Sequence, residues 1–253
     1  MNTQNAFSRE LAIQQWEQLY NLYQQLIPEK VNEIPAKEGL TELCFFGDSV
    51  FSIGQKALFS RFATDERFNE TEYVIQYLKE NLNITGERVP GHFTYEGSGE
   101  TMMWNKKILV GYGQRNNTKE IENLLEKTFE RETLAFELVS PKYYHLDTAL
   151  FPVNKDLIIA YKPAFTKSAW EKIQNLGCQI LEIQEEDALG FGCNSISLDG
   201  KNLIMHYQAQ NLIQHLLNQG LNVYQVDISE FIKLGGGLKC LTYQQYQENN
   251  ENV

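Results

Sequence analysis

The chain is poor in the residues that mark several common kinds of protein. It has 4 cysteines, 6 prolines and 4 histidines among 253 residues. Cys44, Cys178, Cys193 and Cys240 are scattered, and no two stand at the C-x2-C spacing used by zinc and redox chemistry. The N-terminal MNTQNAFSRELAIQQW has no basic stretch followed by an apolar one, so no export signal is read and a disulfide framework is not expected. No apolar run approaches the roughly 18 residues of a spanning helix. Positive charge is also scarce: 22 Lys and Arg against 33 Asp and Glu give a formal net charge of -11. With no basic block, the chain is a poor ligand for phosphate backbones. The expectation is a cytoplasmic protein with no nucleic-acid or membrane partner. No Pro/Ser-rich linker divides it, so residues 1–253 are read as one domain with a polar, frayed tail over 244–253.

What is present is an ordinary globular share of apolar residues, 42%. Over 8–27, Leu11, Trp16, Leu19, Tyr20 and Tyr23 recur at helical spacing and predict an amphipathic helix. Helices are also predicted over 66–82, over 119–130 (Ile121, Leu124, Leu125 and Phe129 on one face) and over 208–219, stopped by Gly220. Short apolar runs predict strands around 43–46, 107–112, 134–139, 145–151, 156–161, 178–183, 202–207 and 221–227. Some of these come one after another with no helix between. That excludes strict strand–helix alternation and leaves a mixed α/β domain.

The chain lacks GxxxxGK[ST], HExxH and G-x-S-x-G. The glycine run Gly235–Gly237 opens no nucleotide fingerprint. His145 and Asp147 fall short of the three or four ligands of a usual metal site, and neither metal nor cofactor is expected. The polar residues that remain stand at strand ends beside glycines: Asp48 in FFGDSVF, Glu96 in YEGSGE, His145 and Asp147 in YYHLDT, and Cys240 in GGGLKC. Singly, each suits a turn, a loop or a core. Together, a thiol, an imidazole and several carboxylates are what attack on a guanidinium carbon requires. Carboxylates grip the planar cation by paired hydrogen bonds, a thiolate adds to its face, and a histidine protonates the departing nitrogen and then activates water.

In these segments the sequence resembles the guanidino-group-modifying superfamily of arginine deiminases, dimethylarginine dimethylaminohydrolases and amidinotransferases. FFGDSVF resembles its early strand carrying Asp, and SRFATDERFNE its Arg-rich turn with a Glu after it. YEGSGETMMWNKKILVGYGQRNN is similar to its E-G-x-D, strand, G-x-x-R stretch, YYHLDTALFP to its H-x-D segment, and VDISEFIKLGGGLKCLT to its terminal cysteine signature. The five stand in the family's order between Cys44 and Leu241. Two departures occur: Glu96-Gly97-Ser98-Gly99-Glu100 is one residue longer than E-G-G-D, and Asn116 replaces the Thr after the second Arg.

The resemblance implies a five-bladed α/β propeller (pentein) of ββαβ-type modules around a central active-site cavity. It implies Cys240 as nucleophile, His145 as general acid/base and Glu96 as its supporting carboxylate. Asp48 and Asp147 would hold guanidinium nitrogens, and Arg67 and Arg115 the substrate α-carboxylate, with Arg61 a weaker candidate. The activity implied is a thiol-dependent hydrolase of free arginine or a close analogue, working through an amidino-thioether. Dimethylarginine hydrolysis, amidino transfer and a non-enzymatic binding role are the alternatives. The partner is a small-molecule guanidine, and a homodimer is compatible with the same reading.

Overall fold

The computed structural model describes residues 7–248. One structural motif occurs four times along the chain. In each, an antiparallel hairpin leads to a crossover, and a third strand pairs parallel to the second. The first is β1 (Val50–Ile53), β2 (Lys56–Phe59), helix α2 (Glu70–Leu82) and β3 (Thr85–Arg88). Helix α1 (Arg9–Leu26) precedes it. The short α3 (Gly97–Glu100) leads into β4 (Thr101–Trp104), β5 (Lys107–Tyr112), α4 (Ile121–Phe129) and β6 (Thr133–Glu137). Next come β7 (Leu150–Asn154), β8 (Leu157–Ala160), α5 (Lys167–Gln174) and β9 (Gln179–Glu182). After α6 (Glu185–Leu189) lie β10 (Ile196–Ser197), β11 (Asn202–His206), α7 (Gln210–Asn218) and β12 (Asn222–Val226). Helices α8 (Ser229–Lys233) and α9 (Leu238–Leu241) end the described elements. Among the described residues there are thus four three-stranded sheets.

Local chemistry sets these elements. The β4–β5 turn is Asn105–Lys106 with φ of 47° and 66°, the mirror-image geometry that matches the twist of a hairpin. Parallel pairing of the third strand needs a crossover, which α2, α4, α5 and α7 supply in turn. In α2, Val74 and Leu78 are completely buried against Val50, Phe59 and Ile84. Burial on that scale is worth about 1.5–3 kcal/mol per side chain. Helix α1 covers the fourth sheet, packing Ala12, Leu19 and Tyr23 with Ile196, Ile204 and Val226.

Burial falls in one direction across three of the four sheets, the exception being the second, whose third strand β6 is mostly buried. The first strands, β1, β4, β7 and β10, are buried throughout or nearly so, whereas the third strands β3, β9 and β12 are largely exposed or half-buried. The first strands therefore face inward. The turns before three of them and helix α9 meet: α3 packs on the 3-10 turns Phe46–Ser49 and Leu146–Thr148 and on α9, and α9 packs on Phe46–Ser49. This is the centre at which Asp48, Glu96, His145, Asp147 and Cys240 converge.

Several expectations need correction. Residues 43–46 form turns rather than a strand, because the apolar run ELCFF wraps the centre before the chain extends at Val50. Helix α2 starts at Glu70, not 66, after a 3-10 turn at Asp65–Arg67. The strand expected at 145–151 starts at Leu150. The N-terminal helix is present, but Leu11 is 38% exposed, and the buried face runs through Ala12, Gln15, Leu19 and Tyr23. Within the tail, Tyr246 is buried and bridges to Ile53, so the segment around it is packed rather than frayed; residues 249–253 lie outside the described ones. Of the three cysteines in apolar or small-residue surroundings, Cys193 is buried, Cys178 is half-buried and Cys44 is exposed. No helix of the described residues is long and apolar enough to cross a membrane.

Candidate active site

Cys240, Asp48, Asp147, His145 and Glu96 are all buried around one point. One ligand atom each of Asp48, Asp147 and Cys240 lies within 4.8 Å of the other two. The Cys240 thiol donates to Asp147 Oδ2 at 3.6 Å and its Sγ accepts from Asn194 Nδ2 at 3.5 Å. Asp48 Oδ2 accepts from Arg67 Nη1 at 2.8 Å. The other oxygens, Asp48 Oδ1 and Asp147 Oδ1, are buried and have no hydrogen-bond partner. Buried acceptors normally find donors. Two left open beside a thiol describe a seat for a cation that brings its own N–H groups.

The histidine is fixed from the other side. Its Nε2 is 2.7 Å from Glu96 Oε2, and Glu96 Oε1 accepts from the Ala63 backbone N–H at 3.0 Å and from Arg115 Nη1 at 3.2 Å. Nδ1 is left to face Gly99. A β-carbon at Gly99 would stand 2.6 Å from Nδ1 and 2.9 Å from Asp48 Oδ1, so only glycine lets imidazole and carboxylate share this space. Gly237 is constrained likewise: a β-carbon there would lie 2.5 Å from Asn194 Oδ1, the atom that accepts from the Lys239 backbone at the start of α9. The glycine run thus lets the helix that carries Cys240 approach Asn194.

Charge couples these groups. Burial alone would raise Glu96, but the bond and charge of His145, with Arg115 and the Ala63 N–H, hold it down at about 2. For His145 burial would lower the pKa; the Glu96 bond and charge, helped by Asp48 and Asp147, raise it above the ordinary value. Asp147 is pushed up to about 7 by burial, against the opposing pull of His145. Burial also raises Asp48, with Arg67 opposing. Cys240 is driven well above its ordinary value by burial and then by Asp147 and Asp48. Left to themselves, these groups favour a neutral thiol. A cation seated between the two aspartates would reverse that balance.

The three arginines have different settings. Arg115 sits at the edge with its side chain 32% exposed, over the Tyr144 ring at 4.7 Å. Arg67 does not face an open space. Its Nε donates to Glu70 at 2.8 Å, Nη1 to Asp48 and Nη2 to the Phe45 carbonyl at 3.0 Å, and its guanidinium lies 4.0 Å over Phe62. A fork so fully engaged braces Asp48 and has little left for a substrate carboxylate. Arg61 reaches the Val89 carbonyl, at 3.5 Å, and is not part of the cluster.

Sequence reasoning missed Asn194, Lys239, Tyr144 and Glu100. Tyr144 donates to the Gly235 carbonyl at 2.6 Å, tying the histidine's turn to the glycine run. Glu100 is buried, and burial with nearby Glu96 pushes it well above the ordinary carboxylate range. Asn194, in GFGCNS, gave no local signal. Lys239 adjoins Cys240 but belongs to no spacing pattern. Asp48, Asp147 and Cys240 give two carboxylates and a thiol, and His145 is turned to Glu96, so no four-ligand set of a structural metal site is assembled among the described residues.

A family model described as N,N dimethylarginine dimethylhydrolase, eukaryotic, matches residues 1–246. The chain belongs to this family. Its similarity to the N(G),N(G)-dimethylarginine dimethylaminohydrolase of Mycobacterium tuberculosis is 29% identity, covering 93% of this chain and 76% of that protein. It is 28% identical to the bifunctional arginine dihydrolase/ornithine cyclodeaminase AgrE of Nostoc sp. over 97% of this chain, which spans 35% of AgrE's length. Among solved structures, the N-terminal domain of ArgZ, a cyanobacterial arginine dihydrolase bound to its product, superposes with a TM-score of 0.90 at 26% identity, over 96% of this chain and 89% of that one. Another ArgZ structure holds a covalently bound reaction intermediate. A dimethylarginine dimethylaminohydrolase adduct, at 21% identity and a TM-score of 0.81, shares the fold over 96% of this chain and 92% of that one. This family thus groups hydrolases of the guanidino C–N bond, and the chain has their fold.

Proposed function

We propose that the protein is a thiol-dependent hydrolase of the guanidino group of free arginine. The observation that carries this reading is the buried cluster of Asp48, Asp147 and the Cys240 thiol, one ligand atom of each within 4.8 Å of the others, in which each carboxylate keeps one oxygen, Oδ1, without a partner. An unsubstituted guanidinium has N–H donors for both. A dimethylated nitrogen has none, and a carboxylate facing it would be desolvated without return.

In the reaction, the guanidinium enters between the aspartates and its charge lowers the pKa of the Cys240 thiol, whose proton is released to solvent to leave the thiolate. Sulfur adds to the guanidinium carbon. Protonated His145, held by Glu96, gives its proton to one terminal nitrogen; the C–N bond breaks and ammonia leaves an amidino-thioether on Cys240. The now neutral imidazole takes a proton from water as its oxygen adds to the same carbon. Collapse of this adduct breaks the C–S bond, restores the thiolate and releases citrulline. Asp48 and Asp147 hold the nitrogens throughout, Arg67 braces Asp48, and Arg115 meets the α-carboxylate at the mouth.

The family match over 1–246 keeps dimethylarginine as a second reading, with dimethylamine as leaving group. The likeness to an arginine dihydrolase domain raises a second hydrolysis, from citrulline to ornithine. Incubation with arginine and with asymmetric dimethylarginine separates them. Citrulline and ammonia from arginine are expected; turnover of dimethylarginine alone would overturn the arginine reading, and ornithine would indicate dihydrolysis. Cys240→Ser should still bind arginine in calorimetry and lose nearly all turnover, since an alcohol is scarcely ionised near neutral pH.

For the architecture, the fifth blade position is assigned to α1, α8, α9 and the packed segment through Tyr246, which closes the ring onto the first sheet at Ile53. Residues 1–253 then make one catalytic domain, in keeping with cores that run between neighbouring sheets. Four free cysteines, one of them exposed, favour the cytoplasm.

A further inference from the structure

Lys239, beside the nucleophile, is only 5% exposed. Its Nζ donates to the Tyr246 hydroxyl at 3.1 Å and to Gln244 Oε1, and it lies 5.4 Å from the Tyr246 ring centroid. These partners are neutral, and a buried ammonium held by neutral acceptors keeps much of its desolvation cost. The chain nevertheless packs one directly behind Cys240. Lys239 also lines a chamber of about 20 Å3 whose other polar lining residues are Gln244, Tyr246, Ser195, Ser197 and Asp147, the rest of its wall being apolar side chains and Cys193. That is room for about one water, with the two to four polar partners it needs. The Ser195 and Ser197 hydroxyls already donate to the Gly192 and Val153 carbonyls, which leaves their lone pairs to receive the water's hydrogens. Asp147, another lining group, has its Oδ1 without a partner.

We propose that Lys239 is a positioning residue of this site: held by Gln244 and Tyr246 and acting across one water in the chamber it shares with Asp147, it keeps Asp147 ionised and turned toward the guanidinium. The inference deepens the guanidino-hydrolase reading and rests on it. The charged and titratable groups that face Asp147 come from every surrounding turn: Asp48 before β1, Tyr144 and His145 on its own turn with Glu96 behind the histidine, Cys193 after α6, Cys240 with Lys239 on α9, and Tyr246 in the segment after it. Of these, Asp48 and the thiol oppose ionisation of Asp147 once charged. His145 and Lys239 favour it, and Lys239 accordingly draws the Asp147 pKa down. His145 gives up its proton during turnover, whereas Lys239 takes no part in the proton transfers. A lysine whose only task is to fill space would be served by methionine at less cost.

The test compares wild type with Lys239→Met, Lys239→Gln and Lys239→Arg by two readouts. The first is the pH dependence of kcat/KM for arginine. Both neutral variants should move the acid limb up by about one pH unit, the size of effect one nearby opposite charge supplies, and Lys239→Arg should keep the wild-type limb. The second is the rate of iodoacetamide alkylation of the Cys240 peptide against pH, read by mass spectrometry without substrate. Its midpoint should also rise in the neutral variants. A purely structural lysine would lower the melting temperature and scale activity equally at all pH, leaving both midpoints in place; that outcome overturns the proposal. So does an arginine variant that shifts as the neutral ones do. If Lys239→Met does not fold, Lys239→Gln and Lys239→Arg decide alone. If wild type does not turn over arginine, the hydrolase reading fails while the alkylation midpoints still judge Lys239.

Discussion

Replacing Asp147 by asparagine should make the protein more stable and inactive. In the folded protein burial lifts this carboxyl from an ordinary 3.8 to about 7. Between those values the folded state holds a proton that the unfolded chain has released. By linkage, its stability then falls as pH rises from about 4 to about 7. Three units at about 1.36 kcal/mol each give about 4 kcal/mol as the ceiling on the cost of ionising Asp147 in place. A side-chain amide at this position would carry no such cost, and its oxygen could still accept from the Cys240 thiol. Thermal unfolding monitored by circular dichroism from pH 4 to pH 8 checks this. Wild type and Asp147→Asn should coincide near pH 4 and separate steadily above it, with the variant ahead by up to roughly 8–16 °C at pH 8 for a chain of this size. Arginine turnover should meanwhile fall at least about a hundredfold, because one grip on the guanidinium is lost. A gap that does not change with pH, or a variant less stable than wild type at pH 8, would refute the reasoning. Stability given up at a site for function is a common trade.

Other consequences are open to simpler assays. Arg67→Met should destabilise the fold by about 3–5 kcal/mol, since it strands buried Asp48 and Glu70; denaturant titration would show a lower midpoint, and an unchanged one would remove Arg67 as the brace. Gly99→Ala should abolish turnover while a folded protein remains, because its methyl group would occupy the space between His145 Nδ1 and Asp48 Oδ1; wild-type kcat would contradict the placement of the imidazole. Arg115→Ala should raise the KM for arginine by roughly ten- to a hundredfold, less than a buried pair would give because the side chain is a third exposed. An equal loss for agmatine, which has no carboxylate, would count against Arg115 meeting that group. His145→Ala should accumulate no adduct from arginine, because ammonia needs the imidazole's proton to leave, whereas an analogue with a thiolate leaving group should load Cys240 with an amidino adduct that persists in intact-mass spectra; rapid clearance of that adduct would remove His145 as the base that activates water.

Local pattern alone was enough for much of the secondary structure. The helical spacing of Ile121, Leu125 and Phe129 and of Leu212, Ile213 and Leu216 marked α4 and α7 to within two residues or so at each end, and the runs at 107–112, 156–161 and 202–207 marked β5, β8 and β11. The residue types at turns, beside glycines for Asp48, Glu96 and Cys240, singled out these three with His145 and Asp147, since guanidine chemistry needs those groups and the five segments kept one order. Inner strands such as β4, TMMW, were missed because they are short and buried on all sides, with no alternation to detect. Which arginine does what was a tertiary decision. Arg67 and Arg115 carry the same charge, yet folding closes Asp48, Glu70 and the Phe45 carbonyl around one and leaves the other at an edge over Tyr144. The same holds for Asn194 and Lys239. Neither has a neighbour in sequence that explains it; each acquires its role only when α9 is set against the turn after α6, where distance and burial, not residue type, determine the strength of an electrostatic interaction.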